Sequence, residues 1–401
     1  MPNFEISDLV TSFQRRLRSV PRNFTRSLAK DIAWDDRLIG IRGARGTGKT
    51  TLLLQRILNA RQEGANCLYA SLDHLWFTNH SLEELAEYHV QHNGTHLYLD
   101  EIHHLDHWQT ALKNLYDDFP NLNIVYTGSS LLKIDATAGD LSRRQLLYTL
   151  PNLSFREYLE LEAGLKSPVY SLDELLAEHT NIAPNLISQF SLGTMFEKYL
   201  KSGCYPFYKE VKSGFVLRLQ QIVNQVLESD YPALENITTS TIWKTKRMLQ
   251  VLAENVPQTP NQIQLCAELE TDRNQLLKML DALSRAGLLG LLSKKTKNLK
   301  HLEWPEKILM HNTNLMYALG ASVNEGTLRE TFFLNQLCAH HTVNSYEKGD
   351  FLVDGKYLFE VGGRRKSFQQ IKDIPDSFLA VDDLEIGHGN RIPLWLFGFM
   401  Y

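Results

Sequence analysis

Gly43-Ala44-Arg45-Gly46-Thr47-Gly48-Lys49-Thr50 fits G-x-x-x-x-G-K-[ST] without a gap. Glycines at these places let a backbone curl so that its N–H groups point inward at phosphate oxygens, and a following helix adds its positive N-terminal dipole. From Gly43 through Thr51 the chain thus offers a cradle for a polyphosphate. Lys49 supplies a point charge for the β and γ phosphates, and Thr50 a hydroxyl for Mg²⁺. Further on, THLYLDEIHHLDHW ends an apolar run in Asp100-Glu101. Asp100 is placed to hold Mg²⁺ through water and Glu101 to polarise an attacking water. ATP and Mg²⁺ are the cofactors this chemistry requires.

Such residues need a rigid frame. Leu38 to Ile41 reads as a strand entering the glycine-rich loop, and an apolar helical pattern leaves it. CLYASLD (67–73), NIVYTGSS (123–130) and QLLYTL (145–150) read as further strands, separated by helical segments such as SLEELAEYHVQ and WQTALKNLYDDF. Strands alternating with helices predict a parallel sheet covered on both faces. Thr127 and Ser129 lie at a strand end where a polar sensor of the γ-phosphate belongs, or alternatively form a hydroxyl-rich turn that caps a helix. Arg143 and Arg144 read either as a solvated helix end or as an arginine finger for a neighbouring subunit, which would make the protein a homo-oligomer. His103, His104 and His107 follow the acidic pair, with His103 and His107 on one helical face. A metal site there lacks an evident third ligand, which favours ordinary polar packing.

GARGTGKTTLL, LYLDEIHHLDHWQ, VYTGSS and LPNLSFREYLEL, in that order, resemble the AAA-type P-loop ATPases of bacteria and archaea that carry a C-terminal domain of unknown function. PEKILMHNTNLMYAL and EGTLRETFFLNQL resemble that C-terminal region. The resemblance implies the roles argued above for Lys49, Thr50, Asp100 and Glu101, and a sensor at Ser129 or Thr127.

The rest of the chain reads in three parts. Residues 154–230 are a helical connector or lid after an ATPase domain at 1–153. Residues 231–300 show three amphipathic segments, then an apolar strand and a basic tail, the layout of a winged helix-turn-helix. NQIQLCAELE is its second helix, and the third runs from Thr271 or Asp272 to Ala286. Arg273, Asn274, Gln275 and Lys278 would face DNA bases, and Lys294, Lys295 and Lys297 phosphates, although Glu268, Glu270 and Asp272 would repel them. A protein client is the competing partner.

Residues 301–401 read as a helix (GTLRETFFLNQLCAHH), a hairpin, a helix (FQQIKDI) and strands ending in IPLWLFGF. With Glu330 on the helix and Asp350 and Glu360 on the hairpin, this α/β order resembles the restriction-endonuclease-like fold, whose sites carry E…D…E-x-K. The acids there bind Mg²⁺ and the lysine orients or deprotonates water. Here the lysine's place is Gly362. A two-residue turn at Asp354-Gly355 puts Asp350 and Glu360 on opposite faces, whereas a three-residue loop sets them opposite each other. A repurposed nuclease-like domain is favoured over an active one.

Composition sets limits. With 401 residues, 43% hydrophobic, 22% charged and 10% aromatic, the chain reads as a globular protein of two to four domains. A net charge of −4 confines any nucleic-acid contact to local patches such as QRRLRSVPRNFTR and SKKTKNLKH. Four scattered cysteines, with no C-x-x-C, fit a reducing cytoplasm. No run approaches the roughly 20 apolar residues of a membrane span. The expectation is an α/β P-loop ATPase that couples Mg-ATP binding and hydrolysis to movement of C-terminal DNA- or protein-binding modules. An ATP-gated nuclease and a recruitment module with little turnover are the alternatives.

Overall fold

A computed structural model describes residues 5–128, 141, 143–211, 213–233, 237–255, 261–294, 304–320 and 322–401. The chain forms two compact units, Met1–Asn152 and Leu153–Tyr401.

The first unit is a five-stranded sheet in the order β2-β3-β4-β1-β5, with β1 Leu38–Arg42, β2 Cys67–Ser71, β3 His96–Asp100, β4 Asn123–Gly128 and β5 Leu146–Thr149. Every pairing is parallel. Strands covered on both faces must be apolar on both, and β1 accordingly buries Leu38, Ile39 and Ile41 completely. Helices α1 Ile6–Ser19, α2 Lys49–Gln62, α3 Leu82–Gln91 and α4 Trp108–Asp118 bury their apolar stripes in the same core, among them Phe13, Leu53, Leu85 and Leu112. The Ser81 hydroxyl caps α3 by accepting from the Glu84 amide at 3.1 Å. This topology places the ends of β1, β3 and β4 side by side, because β4 lies between β1 and β3. Ligands in open parallel sheets bind outside such carboxyl ends.

In the second unit, helices Thr239–Asn255, Gln262–Glu268 and Arg273–Arg285 precede an antiparallel pair, β6 Leu289–Leu292 and β7 Lys307–Met310. The expected second and third helices are thus present, a little shorter than read. Asp272 proves to be a cap, accepting from the Gln275 amide at 3.0 Å. Helix Glu325–Leu337 then packs on a second sheet, ordered β12-β11-β10-β9-β8, with β8 Val343–Tyr346, β9 Gly349–Val353, β10 Tyr357–Gly362, β11 Ser377–Val381 and β12 Arg391–Pro393. Strands β8, β9 and β10 run antiparallel, and β11 and β12 pair parallel to β10 and β11. The main core of the unit buries Phe155, Phe332, Phe333, Phe397 and Phe399 fully.

Two sequence expectations fail here. FQQIKDI is not a helix but a series of turns. Ile371 is pinned in a small cluster with Leu358, Leu379 and Val381, which demands a local inward turn rather than a continuous apolar stripe. IPLWLFGF does not continue as a strand: after Pro393 the chain turns into a 3₁₀ helix, Leu394–Phe399, that buries every side chain it carries.

His311, just beyond β7, has an enclosed Nδ1 without a partner among the described residues, and burial lowers its pKa to about 4. A folded pKa below the ordinary 6.5 means that the unfolded chain takes up the proton first. Stability from this group is therefore present above pH ~6.5 and falls as the pH drops toward 4, by up to about 3 kcal/mol at 1.36 kcal/mol per unit. Urea unfolding across that range should show a steeper acid loss in the wild type than in His311→Gln; parallel profiles would contradict it.

Candidate nucleotide site

The loop between β1 and α2 takes the shape its glycines permit. Gly46 and Gly48 adopt φ of 84° and 96°, the left-handed region that side chains resist. Gly48 is the N-cap of α2 and brings no side chain to its first turn, so the amides there face the loop. Lys49 is buried, and its Nζ donates to the carbonyls of Gly43 and Ala44, both at 2.9 Å. The ammonium is held inside the curl of the loop, where phosphate oxygens would compete for it.

A residue that sequence reasoning missed supports this loop from behind. The Arg26 guanidinium is buried and donates to Thr47 O at 2.6 Å, Pro151 O at 2.8 Å and Asn152 O at 3.0 Å. Arg26 belongs to the basic stretch marked above as a nucleic-acid candidate. So does Arg16, whose Nη1 donates to the Tyr69 hydroxyl at 3.1 Å. These two arginines are built into the first unit.

The acidic half of the site gathers around Asp100. Thr50 Oγ1 donates to Asp100 Oδ2 at 2.7 Å, joining the two proposed Mg²⁺ ligands across α2 and β3. Asp100 is buried and also accepts from the Tyr69 hydroxyl at 2.9 Å and from Thr127 Oγ1. Burial, and next the Asp100 charge, push the Tyr69 phenol well above its ordinary range, so it remains a donor. Thr127 sits at the end of β4 with its hydroxyl on Asp100, and accepts from the Glu101 amide at 3.3 Å. It positions the acidic pair. Ser129, the other sensor candidate, lies outside the described residues, as do Lys295 and Lys297.

Glu101 leaves β3 in the left-handed region, with φ 55°, a conformation that costs a non-glycine residue energy and is found where structure over-determines it. Its carboxylate stays partly exposed and lies 3.4 Å from His103 Nε2. Among the described residues, Glu101, His103 and His104 are the one group of three potential metal donors within 4.8 Å of one another. The third donor absent from the sequence reading is therefore Glu101 itself. His107 does not join them, because Ile102–His104 is a 3₁₀ turn and His107 starts α4 from a left-handed conformation; the helical face expected to unite His103 and His107 is not formed. Arg143 is exposed. Arg144 grips Asp117 with two hydrogen bonds of 3.1 Å.

Of the sequence acids of the second unit, Glu330 and Asp350 are joined through Lys307, while Glu360 pairs with Lys366 Nζ at 2.9 Å. Tyr357 pairs with Val353 and Phe359 with Phe351, so the hairpin has the three-residue loop, the register that would bring Asp350 opposite Glu360 one residue further along. Asp354 fixes this register: its carboxylate accepts from the Thr342 amide at 2.9 Å and meets His341 Nδ1 at 2.6 Å. Lys307 Nζ bridges Glu330 and Asp350, at 2.9 and 3.3 Å.

A parallel sheet with a phosphate-cradling loop after its central strand, and an acidic pair after a neighbouring strand, defines the P-loop NTPase fold of AAA type. Residues 35–159 match the family model of the AAA domain, and residues 193–325 match that of a domain of unknown function, DUF8612. No curated protein matches the chain. Among solved structures, AMPPCP-bound DnaA from Aquifex aeolicus is 16% identical, with 70% of this chain and 89% of that one covered and a TM-score of 0.25. The S. cerevisiae Hsp104-ADP complex is 15% identical over 68% of this chain and 39% of that one, at 0.30. C. elegans PCH-2 is 14% identical over 70% and 66%, at 0.25. At these scores the likenesses carry no argument. The AAA-type nucleotide-binding domain rests on the matched family and on the site. Among the described residues, no helix is long and apolar enough to cross a membrane.

Proposed function

We propose that the chain is an Mg²⁺-dependent ATP hydrolase whose first unit couples nucleotide binding and turnover to conformational change in a C-terminal half that binds DNA or a protein. The observation that carries this reading is the 2.7 Å contact between Thr50 and Asp100, with Glu101 next in sequence. In this reading Lys49 and the amides of residues 43–51 hold the phosphates, and Thr50 and Asp100 hold Mg²⁺, the ion that neutralises developing charge between the phosphates. Glu101 takes the proton of the attacking water, and Arg143 or Arg144 completes the site of an adjoining copy; Arg144 must first leave Asp117. Phosphate release from Mg-ATP by the wild type but not by Glu101→Gln tests the assignment.

The finer division of the second unit, at 154–230, 231–300 and 301–401, belongs to the same proposal, with the middle part a winged helix. Its favouring observation is the helix Arg273–Arg285, which leaves Arg273, Asn274 and Lys278 exposed beyond the Asp272 cap. Against a strong phosphate contact, Lys294 is shared by Glu306 at 3.5 Å and Glu347 at 3.7 Å. Duplex DNA should bind at low salt and lose about tenfold or more in affinity in Arg273→Glu/Lys278→Glu, by fluorescence anisotropy. Equal binding by the variant would assign the surface to a protein client.

A further inference from the structure

The turn that follows β3 brings three donors to one point. Glu101 leaves the strand with φ 55°, its amide donating to Thr127 Oγ1 at 3.3 Å. The His104 amide then donates to Glu101 O at 3.0 Å and the Leu105 amide to Ile102 O at 3.1 Å, closing a 3₁₀ turn over Ile102–His104. Residues three apart eclipse one another in such a turn, so His104 returns over Glu101. Ile102, fully buried, anchors the turn to the core of the first unit.

The distances suit a small ion. One ligand atom from each of Glu101, His103 and His104 lies within 4.8 Å of the other two. Glu101 Oε2 and His103 Nε2 are 3.4 Å apart, and the His103 and His104 rings lie side by side, their centroids 4.5 Å apart and their planes tilted by 32°. Two donors held about 2.0 to 2.1 Å from a zinc ion at the tetrahedral angle stand about 3.4 Å apart, so the first pair needs no rearrangement. His104 has to close from at most 4.8 Å to that spacing; it is exposed and Glu101 is half-buried, so both side chains can turn. His103 is buried and is the fixed point of the three.

We infer that Glu101, His103 and His104 bind Zn²⁺, and that the ion switches off hydrolysis by taking the carboxylate assigned above to water activation. Two imidazoles and one carboxylate are donors of the kind zinc prefers, whereas Mg²⁺ favours an all-oxygen shell. Three protein donors leave the fourth tetrahedral position to a water. Thr50 and Asp100, the proposed Mg²⁺ ligands, are not among the three, so ATP binding is retained. The effect on hydrolysis rests on the reading of Glu101 as the base: a carboxylate lone pair held by zinc cannot accept a proton from water. The site itself stands without that reading.

Co²⁺ stands in for Zn²⁺ in the first test, because its visible absorption becomes intense when the ion is four-coordinate. Titrated into the nucleotide-free full-length chain, one Co²⁺ per chain should develop this absorption, and one equivalent of Zn²⁺ should abolish it. His104→Ala should weaken binding at least about tenfold, since loss of even a group that supports a ligand weakens metal affinity by about 10- to 100-fold. This variant removes an exposed side chain, so the fold should persist. His107→Asn, outside the three donors, should bind as the wild type does. No absorption in the wild type, full binding by His104→Ala, or loss of binding in His107→Asn would overturn the site.

The second test is phosphate release from ATP in excess Mg²⁺, with and without Zn²⁺. Saturating zinc should lower the wild-type rate by about 10²-fold or more, the usual contribution of a general base. His104→Ala should keep the zinc-free rate and resist the same zinc concentration. Equal inhibition of both chains would place the zinc effect at the Mg²⁺ ligands and overturn the switch. If the zinc-free wild type releases no phosphate, the proposed function fails, and the cobalt titration still decides the site.

Discussion

Glu101→Gln should lower kcat for ATP hydrolysis by about 10² to 10⁴, the usual contribution of a positioned general base, and leave nucleotide affinity close to that of the wild type. The substitution keeps size and hydrogen-bonding reach and removes only basicity. Affinity should survive because phosphate contact belongs to the 43–51 loop and the metal to Thr50 and Asp100. Geometry should survive as well, since the left-handed turn at Glu101 is held through its backbone amide, which donates to Thr127 Oγ1 at 3.3 Å. The nearby His103 would still face a polar carbonyl or amide. Phosphate release under saturating Mg-ATP is the measurement, and an unchanged rate in the variant would place water activation elsewhere.

Lys49→Ala should have the largest effect on binding. This ammonium donates to two backbone carbonyls of its own loop, each at 2.9 Å. Bound phosphates would replace neutral acceptors with charged ones, and hydrogen bonds to charged groups contribute about 1.5 to 3 kcal/mol each. Losing about 3 kcal/mol weakens Kd for ATP roughly 10²-fold at 1.4 kcal/mol per tenfold. The carbonyls of Gly43 and Ala44 also lose the ammonium, although Ala44 O keeps the Thr47 hydroxyl at 2.9 Å, so far-ultraviolet circular dichroism should accompany the titration to show that the sheet persists. A Kd within a factor of three of the wild type would remove Lys49 from the phosphate site.

The parts of this molecule that could be read from sequence are those whose chemistry is local. The glycine-rich loop declares itself because the strand before it, the glycines and the helix after it are contiguous. Asp100-Glu101 declares itself because an apolar run ends on it. What escaped depends on partners distant in the chain. Arg26 looks like any arginine of a basic run, and its burial is decided by carbonyls of residues 151 and 152. Tyr69 reads as one more apolar strand residue, yet its hydroxyl completes the set of donors on Asp100. The hairpin register could be narrowed to two alternatives but not chosen, because the choice lies with Asp354 and its contacts to His341 and Thr342 on the preceding segment. Lys307 carried no signal at all. It sits on a short strand and meets acids contributed by a helix and a hairpin. FQQIKDI misled for the opposite reason: its apolar spacing suits a helix, but Ile371 is taken by a neighbouring cluster.

The central claim is that residues 43–51 with Asp100 form an Mg-ATP site, and isothermal titration calorimetry of ATP into the full-length chain tests it most directly. With Mg²⁺ present the wild type should bind one ATP per chain; in EDTA, or with Lys49→Ala, binding should weaken by roughly 10²-fold. Equal affinity in all three conditions, or no binding by the wild type at millimolar ATP, would contradict the account.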